Sequence, residues 1–226
     1  MRTFVFDPSS SGVSGDMLLA VLFAAGAKEK NLRKKFAGLA DVDISRETLV
    51  MEGKNVSRMS IEITPDIHSP SFGEMRKLLD NIDTTKTERG FALKVLKTLE
   101  KAEEAAHGGV HPLHELGSLD TLVDVVGVAH AAENLGVFES KVLSLPVAIG
   151  EPQGPHQGQA VGVMLKGGIP HGKRGTKHEL TTPTGLSILS NLAIFVKDFS
   201  INGGKNYYSI GTAELPKPHI LNLTIL

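Results

Sequence analysis

Arg2-Thr3-Phe4-Val5-Phe6-Asp7-Pro8-Ser9-Ser10-Ser11-Gly12-Val13-Ser14-Gly15-Asp16-Met17 opens the chain and decides how the fold is read. Arg2 to Phe6 is β-branched and aromatic and reads as a strand, closed by Asp7-Pro8 and a run of Ser and Gly. From Met17 to Ala25 nearly every residue favours helix. Ser14 stands as N-cap, Asp16 sits in the first turn where the macrodipole favours an acid, and Gly26 is placed to end the helix. A glycine-containing turn running into a helix N-terminus presents backbone N–H groups and a positive dipole end, which is what a bound phosphate or carboxylate requires. No Lys follows the last Gly, so this is not a Walker loop. Asp7 and Asp16 offer instead a place for a divalent ion bridging to such a phosphate. An ordinary strand-to-helix connection accounts for the same spacing.

Outward from that unit, Lys28 to Leu39 reads as a second, exposed helix whose Lys30, Arg33, Lys34 and Lys35 make a solvated face. Thr48 to Val50 and Ser57 to Ile63 read as strands around the turn signal Gly53-Lys54-Asn55. Thr64 to Pro70 reads as a linker. Three helical stretches follow: Phe72 to Asn81; Glu88 to Ala106, with Phe91, Val95, Leu99 and Ala102 on one stripe and Thr85/Glu88 as a capping box; and Leu119 to Leu135, stopped by Gly136. Lys141 to Ile149 alternates as a strand, and Gln157 to Leu165 fits helix or strand. Pro183 to Leu192 is a helix with Thr182 as N-cap and Pro at its first position, and strands at Ile194 to Ile201 and Ile220 to Leu226 complete the pattern. The sum is an α+β fold, a mixed sheet or sheets covered by helices. A β-α-α-β-β region (1–66), a helical region (67–136) and a mixed α/β region (137–226) make up one or two compact domains.

Length and composition limit what such a fold does. At 226 residues the chain buries a substantial core. Its 24 Lys+Arg against 25 Asp+Glu give a formal net charge of -1, so there is no bulk basic field to hold nucleic acid or an anionic membrane. No apolar run approaches the roughly 18 residues that span a bilayer, and the opening residues are too soon interrupted for a secretory signal. A cytoplasmic location is expected. With no Cys, thiolate nucleophiles, disulfides and Cys-held clusters are excluded, and a metal has only His, Asp, Glu, backbone or water to bind.

The densest group of such ligands runs from His107 through His111, His114 and Glu115 to Asp120 and Asp124. Asp120 and Asp124 are four apart, so both carboxylates share one helical face that is otherwise rich in Val and Leu. Like charges at that spacing repel, and a cation or basic partner offsets them. Imidazole nitrogen with carboxylate oxygen suits Ni²⁺, Zn²⁺, Fe²⁺ or Mn²⁺. The bland alternative is a capping Asp, a solvated neighbour and His residues on a loop. A further stretch, His171 to Gly185, sets Lys173 and Arg174 in a basic, Gly-rich loop just ahead of a capped helix, a plausible anion site that solvation explains equally well. His156 lies in a Gly- and Pro-rich loop. Met51, Met59, Met75 and Met164 read as core fillers.

The stretches Asp7-Pro8 through Ser14-Gly15-Asp16-Met17, His114-Glu115-x-Gly117-x-x-Asp120-x-x-x-Asp124, His156-x-Gly158, Glu179-Leu-Thr-Thr-Pro-Thr-Gly185 and Ile210-Gly211-Thr212 resemble, in that order, the nickel insertion proteins. These load Ni into the pyridinium bis-thiocarboxylate mononucleotide precursor of the nickel-pincer cofactor of lactate racemase. The resemblance implies a lyase-class, CTP-dependent chelatase using Mg²⁺ or Mn²⁺ with the nucleotide. It places metal handling at His111, His114, Glu115, Asp120, Asp124 and His156, with His114 or Glu115 as the base that removes a ring proton. Ser14, Gly15 and Asp16, with Lys173, Arg174, Thr182 and Thr184, are the expected holders of the mononucleotide. Departures from the family pattern are a single His68 in place of a His-rich loop, Pro112 two residues before His114, and Gln159-Ala160-Val161 after His156-x-Gly158. The CTP-binding C-terminal domain of the family has no counterpart here, so a separate nucleotide-binding chain, and a homo-oligomer, are the expected partners. A nickel carrier without turnover and a Mg²⁺-dependent phosphate or nucleotide hydrolase built on Asp7 and Asp16 are the other readings.

Overall fold

In the computed structural model, residues 2–37, 39, 41–64, 70–107, 119–151, 158–213 and 215–226 are described. They form a seven-stranded mixed sheet and a two-stranded one, as the α+β reading expects. The opening strand β1 (Thr3–Asp7) lies inside the large sheet, parallel to β4 (Lys141–Ser144) on one side and antiparallel to β9 (Leu221–Ile225) on the other. Beyond β4 runs the two-residue β7 (Ile194–Phe195), and beyond β9 come β8 (Lys205–Ser209), then β3 (Lys54–Thr64), then the edge strand β2 (Asp41–Met51). Phe4, Val5 and Phe6 are each 0% exposed, so β1 is covered on both faces, since consecutive side chains point opposite ways. The small parallel sheet pairs β5 (Val147–Ile149) with β6 (His171–Lys173).

Two helices are buried almost all round. α1 (Gly15–Ala24) has Met17 to Phe23 buried, and α5 (Leu119–Leu135) is apolar on nearly every side. A helix of that kind sits inside the fold rather than over it. α1 packs on β3 and β8 and against α5, while α4 (Lys86–His107) packs on α5 and also on α6 (Gln159–Leu165) and α7 (Pro183–Leu192). The stripe Phe91, Val95, Leu99 and Ala102 on α4 is buried, as its spacing requires. The Thr85/Glu88 capping box forms: the Glu88 N–H donates to Thr85 Oγ1 at 3.1 Å and the Thr85 N–H to Glu88 Oε2 at 2.8 Å. A second box, Ser71 with Glu74, starts α3 (Phe72–Leu79).

Several elements differ from the sequence expectation. The helix over Lys28 to Leu39 shrinks to a 3₁₀ turn at Glu29–Asn31 and one turn of α2 (Leu32–Lys35). Lys30, Arg33 and Lys34 are exposed, as a solvated basic face requires, but Lys35 is turned inward to pair with Glu88 and Phe36 is fully buried. β2 begins at Asp41, well before Thr48, because an edge strand exposed on its outer side carries Asp43, Arg46 and Glu47 without penalty. Glu52 (φ 50) and Gly53 (φ 72) make the two-residue hairpin turn, which needs positive φ at both positions. The strand expected over Lys141 to Ile149 is divided at Leu145-Pro146 into β4 and β5, which join different sheets. Ile194 to Ile201 is strand only at its first two residues, since Lys197-Asp198 turns out to solvent.

Candidate functional site

α1 and α5 meet through small residues on both helices. A Cβ on Gly127 would sit 2.9 Å from Leu19 Cδ1, and a Cβ on Gly15 would sit 2.2 Å from Asp124 Oδ2. Gly15 and Leu19 are one turn apart on α1, and Asp124 and Gly127 one turn apart on α5, so the two helices run in the same sense with their N-termini at one end. The Asp124 carboxyl is thereby pressed onto the first turn of α1. The third helix, α7, arrives at the same place: a Cβ on Gly185 would be 2.4 Å from the Val13 carbonyl oxygen, and the Thr182 N–H donates to that oxygen at 3.0 Å. Gly12 packs as closely on Leu180, at φ +71 where only glycine is comfortable. The Ser/Gly loop and the Glu179–Gly185 stretch, far apart in sequence, are thus built against each other.

These first turns line one cleft of about 970 Å³, whose other walls come from β3 and the segment after β8. Ser14, Gly15, Asp16, Asp120, Asp124, Thr182 and Thr184 all lie on it. Thr182 caps α7 by accepting from the Gly185 N–H at 3.1 Å. Ser14 occupies the N-cap position of α1, yet its hydroxyl donates to Asp16 Oδ1 and accepts no hydrogen bond from the helix backbone N–H groups. Asp16 is the clasp of the site: Oδ1 also accepts from the Met17 N–H at 2.8 Å, and Oδ2 accepts from the Thr212 N–H at 2.7 Å and its hydroxyl at 3.0 Å. Asp124 is different. Its Oδ1 is shielded from solvent and has no hydrogen-bond partner. Burial, followed by the nearby Asp16 and Asp120 carboxylates, pushes its carboxyl well above the ordinary range, so it holds a proton where a surface Asp would not.

Lys173 and Arg174 are not on this cleft. Lys173 pairs with Glu151 at 2.8 Å, and the Arg174 guanidinium donates to the Ser9 carbonyl. Arg174 lines a separate depression of about 400 Å³ with His171 and Lys197. Asp7 does not join Asp16 either; its Oδ1 accepts from the Ser9 N–H at 3.0 Å, an Asx turn at the strand end. His68, His111, His114, Glu115 and His156 lie outside the described residues. Among the described residues no three His, Asp or Glu side chains are grouped tightly enough to hold a metal ion. Thr212 is a site residue that spacing did not single out, although Ile210-Gly211-Thr212 stood among the matching stretches. Of the methionines read as core fillers, Met59 and Met75 are buried, and Met51 and Met59 line the cleft.

The family model described as nickel insertion protein matches residues 4–225. The chain belongs to this nickel insertion protein family. A Thermomicrobium roseum protein named for nickel insertion is 34% identical over 237 residues, covering 100% of this chain and 58% of its own length. A pyridinium-3,5-bisthiocarboxylic acid mononucleotide nickel insertion protein of Akkermansia muciniphila is 30% identical over 250 residues, covering 100% of this chain and 60% of its own. One of the same name from a Nocardioides species is 33% identical over 195 residues, covering 82% and 49%. The chain of this nickel insertion family member therefore spans about three fifths of the length of the first of these curated relatives. No solved structure matches it. No helix among the described residues is long and apolar enough to cross a membrane.

Proposed function

We propose that this chain binds Ni²⁺ as a substrate and delivers it to a pyridinium bis-thiocarboxylate mononucleotide, as the names of its relatives describe for them. The observation that carries the reading is the Asp124 carboxyl, shielded, without a hydrogen-bond partner and seated where the first turns of α1, α5 and α7 meet. A group so placed is costly in the empty protein and is relieved by a cation. Asp120 and Asp124 supply oxygen ligands from α5, and the stretch from His111 to Glu115, directly before that helix, supplies imidazole and a further carboxylate, with His156 as an additional ligand. Nickel accepts such mixed nitrogen and oxygen donors. Insertion exchanges a ring C–H bond for a C–Ni bond and releases a proton, for which His114 or Glu115 is the base.

The Ser/Gly loop does not fit a CTP triphosphate with Mg²⁺ or Mn²⁺: no Lys follows its last glycine, and both Asp16 oxygens are already engaged. CTP use is assigned to a separate nucleotide-binding portion. A lyase-class reaction in the cytoplasm, with an oligomer or partner chain completing it, follows from this assignment. The test is nickel content by mass spectrometry after equilibration with Ni²⁺ and desalting, for wild type, His114→Ala, Asp120→Ala and Asp124→Asn. Reduced nickel in the variants supports the assignment; identical nickel in all four rejects it. A carrier without turnover is the second reading. Product formation with CTP, Mg²⁺ and a nucleotide-binding partner separates it from the enzyme.

A further inference from the structure

Asp16, Asp120 and Asp124 line the cleft from α1 and α5, Glu62 from β3 and Glu179 from the loop before α7, while its basic residues are Arg58 on β3, and Lys217 and His219 on the segment leading to β9. We infer that Lys217 and His219 hold the phosphate of a bound mononucleotide, an assignment that rests on the function proposed above and fixes which end of the substrate goes where. The acid wall is closed to an anion. Asp16 already accepts from Ser14, Met17 and Thr212, and Asp120 and Asp124 face the same space, so a phosphate set there meets carboxylates. Other basic side chains that sequence spacing or the cleft brings forward are committed within the chain. Arg58 Nε donates to Glu47 at 2.6 Å, Lys173 pairs with Glu151, and Arg174 binds the Ser9 carbonyl.

Lys217 is the exception, with no hydrogen bond or ion pair to any described residue. His219 has its Nδ1 3.4 Å from the Ser10 carbonyl, which assigns the N–H to Nδ1 and leaves Nε2 for a ligand; the imidazolium form donates from it. Pro216 and Pro218 alternate with Leu215, Lys217 and His219, and fix φ on either side of the lysine. The strap is held in shape before anything binds, which lowers the cost of ordering the two basic side chains. A cleft near 970 Å³ lies at the upper end of small-ligand pockets, about 300–1,000 Å³, so a nucleotide-sized molecule spans it with its metal-seeking groups toward Asp120 and Asp124 and its phosphate at the strap.

The test is calorimetric titration of the full chain with nicotinate mononucleotide and with nicotinate riboside, which differ only in the phosphate. Wild type should bind the mononucleotide about tenfold more tightly, the scale of one or two charge-assisted hydrogen bonds. Lys217→Ala/His219→Gln should abolish that ratio while keeping riboside affinity and nickel stoichiometry, and Lys197→Ala should leave the ratio intact. Equal binding of the two probes by wild type, no saturable binding of the mononucleotide at millimolar concentration, or an unchanged ratio in the double variant overturns the inference. Nickel is titrated separately without nucleotide. A chain that reads phosphate through Lys217 but takes up no nickel refutes the nickel function alone, and one that takes up nickel without the phosphate ratio refutes this assignment alone.

Discussion

Glu88 lies at the first turn of α4 with a side chain only 1% exposed, yet it is held ionised. Burial pushes its carboxyl up, but hydrogen bonds from His130 Nδ1 (2.9 Å), Lys35 Nζ (2.8 Å) and the Thr85 N–H (2.8 Å) outweigh that and bring it down to about 2 from 4.5. His130 belongs to α5, so this carboxylate ties α4 to the helix that presents Asp120 and Asp124. A depression of that size corresponds to about 3 kcal/mol of stability at neutral pH, at about 1.4 kcal/mol per pH unit. The folded pKa lies below the unfolded one, so this stability is fully present above pH 4.5 and is lost as pH falls toward about 2. Glu88→Gln removes it and also leaves the Lys35 ammonium, 9% exposed, with only the Asp83 carbonyl at 2.7 Å, so the loss at pH 7 should reach about 3–5 kcal/mol. Urea unfolding followed by circular dichroism at pH 7 and at steps from pH 5 to 2 reads both quantities. A loss under about 1 kcal/mol at pH 7, together with the same acid dependence in variant and wild type, would refute the reasoning.

Gly15→Ala should destabilise the chain by about 1–3 kcal/mol, because the added methyl overlaps Asp124; Gly15→Ala/Asp124→Ala should recover most of it in a double-mutant cycle, and strict additivity in urea melts argues against the contact. Thr182→Ala removes the α7 cap and should cost about 1 kcal/mol by the same measurement. In dye-competition titrations, wild type should bind Ni²⁺ more tightly than Asp124→Asn at high pH, and the two should converge as pH falls and the wild-type carboxyl keeps its proton; parallel curves would remove Asp124 from the ligand set.

Legibility from sequence followed the strength of local signals. α5 and α7 keep the bounds that their spacing gave, Leu119–Leu135 and Pro183–Leu192, because a positive-φ Gly136 stops one and Thr182-Pro183 starts the other. β2 was partly hidden because an edge strand has no alternation to enforce, and β8, Lys-Asn-Tyr-Tyr-Ser, is short and only its last residue is buried. Strand order was beyond reach: β1 is flanked by β4 and β9, and nothing local to residues 3–7 encodes either neighbour. In the site, the residue types on α5 were readable from a four-residue spacing, whereas their meeting with the Ser/Gly loop depended on Gly12, Gly15 and Gly185 at near-contact packing. Such glycines look like turn residues until a neighbour is seen against them. Lys173 and Arg174 stood out by charge density alone, and charge density does not say which cavity a loop borders.

β1 is completed on its second side only by Leu221–Ile225, with the Thr3 N–H donating to the Leu226 carbonyl at 3.1 Å and the return bond at 2.9 Å. As the nascent polypeptide leaves the ribosome, its first strand therefore waits for more than two hundred residues of translation before its hydrogen-bonding edge is covered. Topologies of such high contact order close slowly and leave sticky intermediates. Late covering of that strand edge is thus built into the order in which this sheet is assembled.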